Sequence, residues 1–331
     1  MSEPAFFDFA ATSRVDERVA DVVLHYMVEA ARGHIAAVVE ADPDEVIFTS
    51  GATESDNIAI LGLADFADQS GRRHIVSTRV EHKAVLEPLE HLQSKGFEVT
   101  LLDPMPSGAI SPADLKAALR PDTILVSVMH VNNETGKELS LLRNRRIDLI
   151  SVSGHKIYAP KGIGALVTRK RRGIDRPPLR SLMYGGGQER GLRPGTVPVA
   201  LAAGLGEAAR LALLDNDERN SAAKAIEANI VAFVEDAGGQ VNGDRSRAIP
   251  HIINASFKGL DSEAFIVATK SLVAVSNGAA CSSHSYERSH VLEAMNLEPW
   301  RVGGAIRFSF SHESVFPDSN VLKRVIESVR F

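Results

Sequence analysis

Lys156 stands in the string Ser153-Gly154-His155-Lys156, directly after an apolar, strand-like run from Ile147 to Val152 and before a turn containing Gly162 and Gly164. A lysine amine is a weak nucleophile at its ordinary pKa, so covalent chemistry asks for a site that strips its water and an electrophile that traps it. With serine, histidine and a glycine turn able to approach a phosphate alongside, the suited chemistry is a Schiff base to pyridoxal phosphate. On these residues alone the alternative is a surface lysine following a strand.

Three further groups could do chemistry. Gly51-Ala52-Thr53 lies where the strand-like Val46-Ile47-Phe48-Thr49 hands over to a helical pattern, so backbone N–H groups and the Thr53 hydroxyl could converge on a phosphate. A tight turn with an N-cap reads the same residues equally well. Arg307 sits inside the apolar run Ala305-Ile306-Arg307-Phe308-Ser309-Phe310; a buried strand arginine needs a partner, and a bidentate carboxylate is the natural one. Its alternative is an arginine that reaches solvent or a structural acid. Cys281, the single cysteine, is flanked by Ser276, Asn277, Gly278, Ser282 and Ser283, a poor core segment that suggests an accessible loop. One cysteine excludes an internal disulfide and leaves an inert or a reactive thiol.

These residues must be positioned by strands alternating with helices, the pattern of an α/β domain. Strands are expected at Val46–Thr49, His74–Ser77, Thr100–Leu102, Thr123–Val128, Ile147–Val152, His251–Phe257 and Ala305–Phe310. Helices are expected over Ser55–Phe66, Pro112–Leu119 with Ser111 as N-cap, and Val291–Met295. A long Ala- and Leu-rich helix from Pro198 to Leu214 carries the domain change, giving a large domain over 15–207 and a smaller one over 208–331.

The length of 331 residues allows two domains, and 44% hydrophobic with 24% charged residues is ordinary for a globular chain. No run approaches a membrane span, and the opening Met1-Ser2-Glu3-Pro4 lacks the basic start of a secretory signal, so a cytoplasmic protein is expected. A net charge of -5 gives no general attraction to nucleic acid; Arg169–Arg172 and Arg143–Arg146 are expected as solvated loops.

The strings Asp8-Phe9-Ala10-Ala11-Thr12, Ser50 to Asn57, Glu81-His82, Asn132-Asn133-Glu134, the Lys156 segment, Gly185 to Gly191, Ser276 to Ser283 and Ile306-Arg307-Phe308-Ser309 follow one another in a family order. In them the chain resembles the class I cysteine desulfurases of the NifS/IscS type, within the fold-type I pyridoxal-phosphate enzymes. The resemblance implies a large cofactor domain with a mostly parallel sheet and a smaller α+β C-terminal domain onto which residues 1–14 pack. It also implies that Thr53, Ser153 and His155 hold the cofactor phosphate. Thr196 would reach that phosphate from the partner subunit, hence a homodimer. Lys156 would carry the cofactor, His82 stack on its ring and move protons, Asn133 touch cofactor and substrate, and Arg307 bind the α-carboxylate of L-cysteine. Cys281 would take the sulfur as a persulfide, releasing alanine, and its loop would pass the sulfur to an acceptor protein. Iron-sulfur assembly, tRNA thiolation and DNA phosphorothioation all use such enzymes; no metal, membrane or direct nucleic-acid contact is implied.

Two departures stand out. The family's His-x-Asp-x-x-Gln motif, whose Asp pairs with the pyridine nitrogen, does not occur between Asn133 and Lys156, and a second segment rich in Gly, Asn, Ser and His is absent near Met27-Val28. Without the Asp the pyridinium loses the partner that makes it an electron sink. The rival expectations are therefore a cofactor-poor scaffold that binds a sulfur-transfer partner, and another fold-type I activity such as selenocysteine lyase.

Overall fold

The computed structural model describes residues 17–134, 143–171, 173, 176–277 and 288–331. Asp8–Thr12 and Cys281 lie outside them. Nine strands occur among the described residues: β1 (Val46–Thr49), β2 (His74–Thr78), β3 (Glu98–Leu102), β4 (Thr123–Val126), β5 (Leu149–Ser153), β6 (Gly164–Thr168), β7 (Gly239–Val241), β8 (Ile252–Phe257) and β9 (Ala305–Ser309). The chain forms two compact units, one comprising Met1–Ser55, Asp148–Pro177 and Met183–Leu213, the other Asp56–Ile147, Pro178–Leu182 and Leu214–Phe331. The division into 15–207 and 208–331 stays a proposal for the domain boundary.

In the first unit β6 is the middle strand of the order β1-β6-β5 and runs antiparallel to both neighbours. β1 and β6 are buried along their whole length, which suits their Val, Ile, Phe and Leu content. The helix Glu17–Val39 lays Ala31, Ile35, Ala36 and Val39 inward at helical spacing. It passes the helix Val199–Leu214 so closely that a Cβ on Gly206 would stand 2.4 Å from Ala31 Cα. Arg32 projects from it to donate to Val46 O at 2.8 Å and to Glu189 Oε2 at 2.9 Å, and Glu189 Oε2 in turn accepts from Phe48 N at 2.6 Å. This buried pair satisfies backbone groups along β1. Arg169 corrects one expectation: it is buried, not in a solvated loop, and donates to Val39 O and Glu40 O where the first helix ends.

The second unit holds two sheets. β3-β2-β4 is parallel, and Ile75 of β2 packs with Ile60, Val85, Leu89, Leu92 and Phe97. β7-β8-β9 is antiparallel and packs Ile253, Phe257, Ile306 and Phe308 against Phe233, Phe265 and Leu322. The α/β class with a parallel sheet is as expected from the sequence. The expected helix Ser55–Phe66 is instead two, Ala52–Leu61 and Ala64–Ser70. Gly62 separates them and abuts the backbone of Arg180, whose N–H donates to Gly62 O at 2.9 Å. No described helix is long and apolar enough to cross a membrane.

Candidate active site

The strand register of the first unit gathers the expected phosphate-binding turns. Gly164, the first residue of β6, pairs with Thr49 at the end of β1 and with Ser153 at the end of β5. Since β1 and β5 both oppose β6, they run the same way, and both deliver their next residues to one edge of the sheet. From β1 the chain turns through Ser50 and Gly51 into the helix Ala52–Leu61, with Thr53 in its first turn; from β5 it enters the short 3-10 turn Gly154–Ile157 that carries His155 and Lys156. Only glycine fits between them. A Cβ on Gly164 would meet Val152 O at 2.5 Å and Gly51 Cα at 2.6 Å. Thr53, His155 and Lys156 are exposed at this edge and Ser153 is half-buried.

Thr196 is exposed in the same unit, and its strand of chain is tied to the Thr53 helix. Arg193 Nε pairs with Glu54 Oε1 at 3.0 Å, Glu54 Oε2 accepts from Ser50 N at 2.6 Å, and Gly195 N donates to Gln188 Oε1 at 3.1 Å. Burial would raise the Glu54 carboxyl, but Ser50 and Arg193 outweigh it and hold Glu54 below the usual carboxylate range. The arrangement fits the phosphate end of pyridoxal phosphate: two turns with donor side chains, a helix N-terminus and a lysine on one sheet edge. For the ring nitrogen the fit is poorer. Asp148 is the acid nearest Lys156 in sequence, but it precedes β5, at the opposite end of that strand, and is paired with Arg171.

The second unit gathers the other expected residues. His82 caps the helix Lys83–Ser94, its Nδ1 accepting from Ala84 N at 3.0 Å, so the neutral ring carries its proton on Nε2. In β9, Ile306 and Phe308 point into the core, which turns Arg307 to the other face. There Arg307 Nη1 donates to Asn133 O at 3.0 Å, while Nε is buried with no hydrogen-bond partner among the described residues. A buried, unsatisfied guanidinium N–H beside an asparagine turn is what a carboxylate would complete.

Buried acids that the sequence did not single out lie around this turn. Glu81 accepts from Met129 N at 2.6 Å; burial, reinforced by Asp56, pushes its carboxyl up to about 8. Glu134 is held by the Ser289 hydroxyl; burial raises its pKa against that hydrogen bond and the charges of His290 and Arg307. His290 Nε2 contacts Glu81 O at 3.0 Å. Both acids were visible inside the strings Glu81-His82 and Asn132-Asn133-Glu134, where an acid next to polar residues passes for a solvated one.

A family model described as aminotransferase class-V matches residues 24–144 and 137–318. A cysteine desulfurase IscS from Vibrio vulnificus is 40% identical over 382 aligned residues, covering 100% of this chain and 93% of that protein. A crystal structure of DndA from Streptomyces lividans is 44% identical with a TM-score of 0.78, covering 93% of this chain and 99% of that one. A structure of SspA in complex with cysteine is 32% identical with a TM-score of 0.74, over 92% of this chain and 91% of that one. The 382 aligned residues exceed the chain's 331, so the Vibrio protein holds stretches without a counterpart here. The two pieces of the family match meet at 137–144, between Asn133 and Lys156, where the His-x-Asp-x-x-Gln motif is missing. The second expected omission, at Met27-Val28, falls inside the unbroken helix Glu17–Val39.

Proposed function

The chain belongs to the class-V aminotransferase family, and from that premise we propose that it is a pyridoxal-phosphate-dependent cysteine desulfurase that converts L-cysteine to L-alanine and passes the sulfur on. When bound, the cofactor supplies an electron sink for the substrate's Cα. Lys156 holds it covalently and moves a proton at Cα. Thr53, Ser153 and His155 bind its phosphate, with Thr196 contributed by the partner subunit of a homodimer. His82, its Nδ1 engaged by Ala84, would offer its ring face for stacking on the cofactor and Nε2 for proton transfer. Arg307 and Asn133 orient the substrate carboxylate. The Cys281 thiolate attacks the substrate sulfur; an S–S bond forms as the C–S bond breaks, its electron pair stays with the carbon skeleton, and protonation there releases alanine. The persulfide then goes to an acceptor protein. A reaction that needs Cys281 as a free thiol suits a reducing compartment, and we place the enzyme in the cytoplasm.

The observation that carries this reading is the buried Nε of Arg307 beside Asn133, without a hydrogen-bond partner among the described residues, in a chain whose relatives include a cysteine desulfurase and a structure holding cysteine. The test is release of alanine and, with a thiol reductant, sulfide from L-cysteine, in equal amounts. A second reading, a scaffold without catalysis, is favoured by the missing His-x-Asp-x-x-Gln motif between Asn133 and Lys156. Absorbance near roughly 420 nm, expected of a lysine Schiff base, separates the two, since a scaffold shows neither absorbance nor products.

A further inference from the structure

We propose that Asn254 binds the α-carboxylate of the substrate alongside Arg307, the two side chains forming one carboxylate cradle on a face of the β7-β8-β9 sheet; the inference rests on the desulfurase reading for the identity of its ligand. The register of β8 with β9 sets Asn254 directly opposite Arg307. Ile253, Ala255 and Phe257 of β8 and Ile306 and Phe308 of β9 belong to one core, so Asn254 and Arg307, which lie between them in sequence, share the other face of the sheet. Side chains opposed in this way have Cβ atoms about 4.5–5.5 Å apart, close enough to share one ligand.

Asn254 is 0% exposed, and its Nδ2, like Nε of Arg307, is buried without a hydrogen-bond partner among the described residues. The direction of the Asn254 amide is fixed from a distance. Arg301 carries only donors; its Nε donates to Asn242 Oδ1 at 2.9 Å and so turns the Asn242 NH2 group away from it. That NH2 group donates to Asn254 Oδ1 at 2.6 Å and to Ser256 Oγ at 2.7 Å, and Ser256 gives its own hydrogen to Arg301 O at 2.6 Å. Asn242 and Ser256 are thereby fully used, and the relay ends on Asn254 with the oxygen taken and the NH2 left over. Flipping that amide would set NH2 against NH2, so the donor end stays outward. A polar network satisfied up to its last donor, facing a guanidinium with an unmet donor of its own, describes a site for an anion with two acceptor oxygens. Arg307 Nη1 is already committed to Asn133 O. A carboxylate that meets Nε therefore finds in Asn254 a neutral donor for its other oxygen.

The experiment sets L-cysteine against cysteamine, which keeps the amine and the thiol but lacks the carboxylate. Both are titrated calorimetrically into full-length, cofactor-loaded protein carrying Cys281→Ser to stop turnover, alone and combined with Asn254→Ala or Asn254→Asp. Asn254→Ala is expected to raise the Kd for L-cysteine about tenfold, the effect of one hydrogen bond to a charged group, and to leave that for cysteamine within about twofold. Asn254→Asp keeps an oxygen for Asn242 but sets a negative charge where the carboxylate would lie, so its loss for L-cysteine should exceed that of the alanine variant. Isosteric and able to pair with Arg307, it keeps the test open should the alanine variant fail to fold. Unchanged L-cysteine affinity in the Asn254 variants would overturn the cradle, as would an equal loss for both ligands, which would make Asn254 a structural strand residue or the seat of a buried water. A Cys281→Ser protein that binds the two ligands equally well, or binds neither, would overturn it too. If wild type yields no alanine or sulfide from L-cysteine, the desulfurase reading fails, while a loss confined to the carboxylate-bearing ligand still upholds the cradle.

Discussion

Arg307 and Asn133, from distant parts of the sequence, are joined by a 3.0 Å hydrogen bond from the guanidinium Nη1 to the main-chain oxygen, and Nε of the same group is buried without a partner among the described residues. One edge of the fork is thereby fixed to the protein and another donor is left for a ligand. Replacement of Arg307 by Ala should raise the KM for L-cysteine by one to two orders of magnitude, the equivalent of about 1.5–3 kcal/mol for a hydrogen bond to a charged group. Arg307→Lys should recover little, because a point charge does not reproduce the planar fork. Steady-state kinetics at fixed pH check this; an unchanged KM in Arg307→Ala would make the arginine structural.

Cys281→Ser should abolish sulfide and alanine release yet leave the Schiff-base absorbance in place, since the thiol acts after substrate has bound. Normal turnover in this variant would end the persulfide mechanism.

Lys156→Ala should remove the covalent cofactor link. Borohydride reduction of the wild type followed by peptide mass analysis should find the pyridoxyl group on Lys156, and its appearance on any other lysine would refute the assignment.

The buried Arg32–Glu189 pair makes a stability prediction distinct from activity. Glu189→Ala leaves the Phe48 N–H without its acceptor and Arg32 with only the half-exposed Glu29 as a charged partner, a loss of up to about 3–5 kcal/mol. Urea unfolding should show the midpoint falling; a loss below about 1 kcal/mol, the range of an exposed pair, would mean that solvent reaches the site.

Glu81 makes a pH prediction. Its folded pKa, pushed up to about 8 by burial, lies above the ordinary value of 4.5. Between those values the folded state holds a proton that the unfolded state has released. Stability therefore falls as pH rises from 4.5 towards 8 and levels off above, with a slope of at most about 1.4 kcal/mol per pH unit. Glu81→Gln should flatten that component. Urea unfolding of both proteins at several pH values tests it, and parallel curves would show that Glu81 titrates like an ordinary carboxyl.

Apolar runs rich in Ile, Val and Phe made β1, β2, β5, β8 and β9 readable from sequence, and Ser111 was readable as a helix cap, its hydroxyl accepting from Asp114 N at 3.3 Å. The break at Gly62 was not readable, because it answers to the backbone of Arg180, a segment far along the chain. Arg169 misled for a similar reason: a run of four basic residues resembles solvated chain until the end of the first helix supplies carbonyls for it. At the candidate site, Lys156, Thr53 and Ser153 could be proposed from sequence because they lie next to strand ends. Glu81 and Glu134 could not, since their burial, and the Met129 and Ser289 hydrogen bonds that work against its effect on their titration, come from tertiary packing that no local pattern announces.

The narrow place occupied by Gly164 also acts as a proofreader of assembly. Sliding β6 by one residue would bring Ile163 or Ala165 to the point between Thr49 and Ser153, and any side chain there meets Val152 O and Gly51 Cα at about 2.5 Å. The same slip would turn the apolar residues of β6 to the opposite faces of the sheet. Misaligned pairings thus exclude themselves sterically, and a strand without any reactive group becomes the ruler against which the lysine and threonine turns are set.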